Sequence, residues 1–262
     1  MSMIFSMLIC TAIIVIIFFL LWVFAMLARK PELVDIAWTL AVVGYAWYYF
    51  VDFGETSLRS YFLIAMVSLW GLRLSSLLMG RLLMGQTDRR YRKLDRAFAN
   101  SYKYSYLLFY GAQVVAAFLL SVPFALAFSA TARVETTDFF ALALCVIGFF
   151  GEFQADATMA RFRAAPDNKG KVCKRGFWKY SRHPNLFFDW IQWIGFACFA
   201  LASPLWWIAV PIPFLMLYMM LCVTGIPPTE EVLLESKGDV YREYQRSTSA
   251  FIPWFPRSDG RA

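Results

Sequence analysis

One histidine, His183, serves the whole chain of 262 residues, and its five cysteines are scattered. There is no CxxC and no Cys/His cluster, which excludes a zinc site of ordinary spacing. The cysteines therefore read as packing residues. Charge is scarce as well: 16% of residues are charged and 60% are hydrophobic, with a mean hydropathy of +0.55. That balance excludes an ordinary soluble domain. No GxGxxG and no GxxxxGK[ST] occurs, so a nucleotide would be held by neither a Rossmann nor a P-loop fold. No internal repeat or low-complexity tract is visible. The first apolar run has no basic segment before it, and Arg29 and Lys30 follow it. It reads as a retained helix and not as a cleaved signal.

What the chain does have is long apolar runs, at about 4–28, 34–51, 60–80, 105–129, 138–157, 186–203 and 204–225. Each is long enough to cross a hydrocarbon core of about 30 Å as a helix. The last two are separated by a tight turn at Ser203-Pro204. The odd connections and the C-terminal tail hold two, seven, eight and five Lys or Arg, whereas the even connections hold only Arg59 and Arg133. This asymmetry places the basic segments in the cytosol. The expectation is an all-α polytopic membrane protein with seven transmembrane helices, N-terminus out and C-terminus cytosolic. It forms one integral membrane domain, 1–262, with helices one to four in 1–130 and helices five to seven plus the tail in 131–262. Aromatic residues at 19% suit a lipid-facing surface. Because topology explains the cations, nucleic acid is not expected as a partner.

Ionisable residues within or beside spans are costly and tend to be functional or paired. Here they are Asp35, Arg73, Glu152, Asp156 and Asp189, all expected near the cytosolic ends of their spans. Glu152 and Asp156 stand four apart and share one helix face. The set suggests a polar pocket open to the cytosol, or structural ion pairs such as Arg73 with Asp35 or Glu152.

The fifth connection carries eight cations between Arg161 and Arg182. Anionic headgroups alone would suffice to explain a cationic loop. Here Pro166, Asp167, Asn168, Gly170 and Gly176 impose turns, and Phe162, Phe177, Trp178 and Tyr180 supply flat surfaces. Such a loop can fold over a large anion with an aromatic base. Pro184 suits the first turn of the sixth helix, whose positive end would face the pocket. In the tail, Thr229 is expected to cap a helix that Gly238 ends, and Glu230 and Glu231 suit its positive end. Tyr241 and Tyr244 lie on one side of the next helical stretch, and Phe251, Trp254 and Phe255 can anchor at the membrane interface.

The order Glu152, Asp156, Arg163, Pro166-Asp167-Asn168, then Gly176-Phe-Trp-Lys-Tyr-Ser-Arg-His-Pro-Asn185, then Gly225-Ile-Pro, Glu230 and a Tyr-rich tail ending Phe251-Ile-Pro resembles the steroid 5-alpha-reductase family. The likeness is strongest over about 150–256 and points to a bacterial branch of that family. RFRAAPDN and RHPN also resemble the sterol C14-reductase group. VDIAW, WGLRL and DRRYRKL match more loosely. The resemblance implies a membrane reductase that takes NADPH from the cytosol. It passes hydride to a polarised C=C bond, such as an enone, of an apolar steroid-like or lipid substrate.

It further implies that Asn185 holds the nicotinamide and Asp189 supports it. Glu152, Asp156 and Arg163 would line the ribose and phosphates, and Lys171 would bind phosphate. Asn168, Tyr180, Arg182, His183, Glu230, Tyr241 and Tyr244 complete the implied cofactor-binding set, with Arg182 and His183 on the phosphate side or bracing the loop. An acid and a tyrosine from early helices would polarise the carbonyl. Asp35 is the candidate acid, while Tyr45, Tyr48, Tyr91 and Tyr110 all remain open. Phe188 stands where the family has glycine. Membrane lipids are expected neighbours, and bacterial inner membrane and endoplasmic reticulum both fit.

Two other readings compete. RHPN and the paired acids also resemble isoprenylcysteine and phospholipid methyltransferases, which use S-adenosylmethionine. The cationic loop favours the more anionic NADPH. A non-enzymatic seven-helix receptor or transporter is the other. Residues 204–225 hold no lysine for retinal, and no inverted repeat or broken-helix pair points to a transporter.

Overall fold

A computed structural model describes residues 2–84, 91, 101–130 and 133–257. The cations Arg89, Arg90, Arg92, Lys93, Arg96 and Arg261 lie outside the described residues. Among the described residues the secondary structure is helical, without strands, as expected. The long helices are α1 (Met3–Ala28), α2 (Leu33–Asp52), α3 (Leu58–Leu83), α4 (Tyr102–Phe128), α5 (Thr136–Ala164) and α6 (Pro184–Phe199). Shorter ones follow: α7 (Pro211–Tyr218), α8 (Ile226–Lys237) and α9 (Asp239–Ser247). Among the described residues, seven helical stretches are long and apolar enough to span a membrane: the first five helices, Pro184–Ala202 and Trp206–Lys237. The protein is an integral, multi-pass membrane protein. Ser2 and Ser57 cap α1 and α3, their hydroxyls accepting from Phe5 N and Ser60 N. Pro184 is the first residue of α6, where its missing N–H costs nothing.

The seventh span departs from the expected plain helix. After α7 the chain widens into a turn of i→i+5 bonds, Met219–Val223, in which Thr224 N donates to Met219 O at 2.8 Å. Gly225 follows, so close to the preceding turn that a Cβ would meet Met220 O at 2.5 Å. Helix α8 then restarts at Ile226, three residues before the expected cap. Thr229 is thus interior, and its hydroxyl donates to Gly225 O at 2.7 Å. Gly238 ends α8 at φ +56°, as expected.

The chain divides into two compact units. The first is Met1–Leu142 with Phe196–Ile212. Its core is aromatic: Tyr45, Tyr49, Trp70, Tyr106, Tyr110, Phe124 and Phe128 are fully buried. Away from water, buried hydroxyls need internal partners. Tyr45 donates to Thr11 Oγ1 at 3.0 Å, Tyr49 pairs with Ser121 Oγ at 3.1 Å, and Tyr110 donates to Pro31 O at 3.0 Å. Helices α2 and α3 close on each other at Gly71, where a Cβ would lie 2.2 Å from Val43 Cγ2. Arg59, expected in a polar connection, is 1% exposed and binds Asp138 through Nε at 2.7 Å and Nη2 at 3.0 Å. Outward residues such as Ile4, Leu8, Ile16, Leu20 and Leu27 give α1 the apolar face that lipid requires.

The second unit is Ala143–Gly195 with Pro213–Ala262. It holds the rest of α5, most of α6, and α8 and α9. Phe251, expected at the membrane interface, is buried with Met220 and Ile226, whereas Trp254 and Phe255 are exposed.

Candidate functional site

In the second unit, α5 and α6 meet through two glycines. A Cβ at Gly148 would lie 2.6 Å from Phe188 O and 2.8 Å from Gln192 N; one at Gly151 would lie 2.3 Å from the Phe188 ring. The phenyl group of Phe188, which replaces the glycine of the resembled family, therefore fills the space above Gly151 and contacts Phe177 at 4.7 Å. This close approach lines up the polar residues of the two helices. Glu152 and Asp156 share a face of α5; Asn185, Asp189 and Gln192, at i, i+4 and i+7, share a face of α6. Glu152, Asp189 and Gln192 are buried, while Asp156 and Asn185 are half-buried. Gln192 Nε2 donates to Glu152 Oε2 at 2.8 Å. Sequence reasoning missed Gln192, although a glutamine inside an apolar run, in step with Asn185 and Asp189, was the available signal.

Replacing Gly148 with alanine is expected to push against backbone that cannot yield. The seam should lose about 1–3 kcal/mol, a typical cost of overpacking. Gly111→Ala, whose Cβ meets nothing within 4 Å, is the control and should be neutral. Thermal unfolding in detergent compares the two.

The cationic loop is folded, not loose. Its first turn, Pro166–Asn168, is tied back by Asn168 Nδ2, which donates to Phe162 O at 2.9 Å near the end of α5. Gly170 and Gly176 adopt φ of +81° and +55°, which side chains disfavour. Phe162, Cys173 and Trp178 form a small core, with Trp178 Nε1 donating to Ala155 O at 2.8 Å. Two of the four expected flat surfaces, Phe162 and Trp178, are thus spent on folding the loop, because an exposed indole and phenyl gain more by burying each other. Tyr180 is half-buried beside Phe255, with Lys179 over its ring at 5.7 Å. Burial pushes the Cys173 thiol up, against the pull of nearby cations, so it stays protonated and unreactive.

Between the end of α5, this loop and the end of α8 lies a cleft of about 330 Å³ lined by Arg163, Asn168, Lys169, Lys171 and Lys237, with Phe162 at its wall. No acid is among its lining residues. Lys237 Nζ donates to Lys171 O, which fixes one wall of the cleft. Lys237 was not anticipated; it sits in the last turn of α8, where the helix dipole favours a cation. Arg163 and Lys171, 8 residues apart in sequence, both line this cleft.

Arg182, His183, Glu230, Tyr241 and Tyr244 come together in a separate hub. Glu230 Oε1 accepts from Arg182 Nε at 2.7 Å and Tyr241 OH at 3.1 Å, and lies 3.1 Å from His183 Nε2. Glu230 Oε2 accepts from Gln245 Nε2 at 2.7 Å. Arg182 also donates through Nη1 to Gln245 O at 3.0 Å and Thr248 O at 2.6 Å. Tyr244 OH donates to Trp178 O, and its oxygen lies 3.2 Å from Ser181 O. Burial raises both phenols well above their ordinary value, and for Tyr241 the Glu230 charge adds to it, so both remain donors at physiological pH. His183 and Arg182 therefore brace the loop against α8 and the tail, one of the two roles foreseen for them. An isolated bridge between Ser181 and Ser249 continues the brace.

In the first unit, Asp35 lies in the first turn of α2 and accepts from Tyr91 OH at 2.9 Å. Of the four tyrosines left open, Tyr45 and Tyr110 direct their hydroxyls elsewhere, and Tyr91 pairs with the candidate acid. Among the described residues no His, Cys, Asp and Glu cluster could hold a metal ion.

No curated protein and no solved structure matches the chain. A family model described as a protein of unknown function, DUF1295, matches residues 21–248, most of the sequence, and the chain belongs to that family.

Proposed function

We propose that this protein is a membrane-embedded NADPH-dependent reductase that delivers hydride to a polarised C=C bond, such as an enone, of an apolar steroid-like or lipid substrate. The observation that carries the proposal is the cleft lined by Arg163, Lys169, Lys171 and Lys237, four cations from the end of α5, the loop and the end of α8. A ligand matched to it is polyanionic, and NADPH brings about three to four negative charges. DUF1295 is, moreover, linked to steroid 5-alpha-reductase-like proteins, in keeping with the motifs quoted above.

The chain's own residues fit that ligand in chemistry. The four cations bind phosphate oxygens. The Asn185 amide offers both donors and an acceptor, which a carboxamide requires, and Asp189, one turn later, orients it. Glu152 and Asp156 supply acceptors for ribose hydroxyls, with Gln192 holding Glu152 in place. When bound, NADPH supplies a hydride. In the first unit the Asp35–Tyr91 pair polarises the substrate carbonyl: the Tyr91 hydroxyl, which donates to Asp35 at 2.9 Å in the structure, is the donor that turns to the carbonyl oxygen. The positive-inside asymmetry supports a cytosolic cofactor side.

Thermal unfolding of the purified protein with NADPH, NADH and S-adenosylmethionine tests the proposal. NADPH should stabilise most. Arg163→Ala combined with Lys171→Ala should weaken NADPH at least ~100-fold, since each charge-assisted bond contributes roughly 1.5–3 kcal/mol. Stabilisation by S-adenosylmethionine alone would replace this reading with the methyltransferase one.

A further inference from the structure

Among the described residues of the α2–α3 pair, Trp38 Nε1 and Ser75 Oγ are buried polar atoms without a hydrogen-bond partner. Their position is fixed by the helix pairing. Gly71 of α3 approaches Thr39 and Val43 of α2, and the Trp38 ring meets Trp70 edge-on at 6.2 Å. One turn along α3 from Gly71 is Ser75; one turn back along α2 from Thr39 is Asp35. Consecutive spans run in opposite directions, so Asp35, Trp38 and Ser75 lie at the same end of this seam. Asp35 is there already joined to Tyr91 at 2.9 Å. An indole N–H can only donate, and leaving it dry is costly. Every other buried hydroxyl described above for this bundle has found an internal partner; these two groups have not.

We infer that this end of the α2–α3 seam is an oxygen-binding site for an apolar ligand, in which Trp38 Nε1–H and Ser75 Oγ–H donate to the ligand oxygen beside the Asp35–Tyr91 pair. The inference rests on the reductase reading for the identity of that ligand, a carbonyl-bearing lipid. It assigns specificity to residues that lie beyond the acid–tyrosine pair. Such a site rejects a ligand lacking the oxygen, because its donors are then left unpaired.

The test is equilibrium binding in lipid nanodiscs of labelled cholest-4-en-3-one and its deoxygenated counterpart cholest-4-ene. Wild-type protein should prefer the ketone. Trp38→Phe keeps an aromatic ring and removes the N–H; it should weaken the ketone about tenfold and leave the hydrocarbon unchanged. Ser75→Ala should show the same selectivity with a smaller loss. Equal weakening of both probes by Trp38→Phe would reduce Trp38 to packing and overturn the inference. So would an unchanged ketone affinity, as when the donors hold an ordered water only, or equal binding of the two probes by the wild type. NADPH binding in the same preparation separates the two claims. If NADPH stabilises the protein while the ketone preference is absent, the seam inference fails and the reductase reading stands. A Trp38-dependent ketone preference without NADPH binding sustains the oxygen site and overturns the reductase reading.

Discussion

Arg59→Ala is expected to destabilise the first unit by about 3–5 kcal/mol, the usual consequence of removing one member of a buried ion pair. Arg59 opens α3 and Asp138 opens α5, and both are 1% exposed. The guanidinium makes a two-pronged contact with the carboxylate and a third bond to Arg133 O at 2.6 Å. Asp138 Oδ2 also accepts from Glu135 N at 2.8 Å. Without Arg59 that carboxylate is left in an apolar bundle with the partial charge of one amide against it. The double replacement Arg59→Met with Asp138→Leu should recover most of the loss, because desolvation of both charges disappears together. Unfolding of the two singles and the double in detergent gives the coupling directly. A single-mutant loss below about 1 kcal/mol would place the pair with ordinary surface bridges. The pair also bears on topology. Arg59 is one of only two cations in the even connections, and its charge is balanced internally, which sharpens the charge asymmetry from which a cytosolic C-terminus is expected.

The spans were legible because hydrophobicity is a one-dimensional signal. Expected runs at 4–28 and 34–51 became α1 at Met3–Ala28 and α2 at Leu33–Asp52. The seventh was misread as plain helix because nothing in MMLCVTG announces an i→i+5 turn. Only the approach of Gly225 to Met220 O makes that glycine necessary. Pairings across sequence were harder still. Tyr91 could not be told from three other tyrosines, since its bond to Asp35 spans 56 residues. Lys237 looked like one more tail cation until the end of α8 met the loop at Lys171. The flat residues of the loop were visible in composition, but composition does not say which bury each other. Phe162 and Trp178 do so, leaving Phe177 against Phe188 and Tyr180 against the tail.

Glu230 carries the second large effect. Its carboxylate gathers Arg182 and His183 from the loop before α6, and Tyr241 and Gln245 from α9. Glu230→Ala leaves the Arg182 charge without its carboxylate and removes the acceptor from three other groups; about 3–5 kcal/mol should be lost from the docking of α8, α9 and the tail. Glu230→Gln should cost less. The amide oxygen still accepts, and a turned Gln245 amide can meet the new NH2 group, so chiefly the charge is missing. Amide hydrogen exchange over 239–257 reads the effect locally, with protection falling in the order wild type, Gln, Ala. The same helix links the hub to the cationic cleft, since α8 carries Glu230 near its start and Lys237 in its last turn. Loosening α8 therefore releases one wall of the cleft. Glu230→Ala should weaken NADPH although no cleft-lining side chain has changed, and Glu230→Gln should weaken it less. Unchanged exchange in the alanine variant would show that Arg182 and the Ser181–Ser249 bridge hold the tail without the carboxylate, and would remove Glu230 from the account of how the cleft is built.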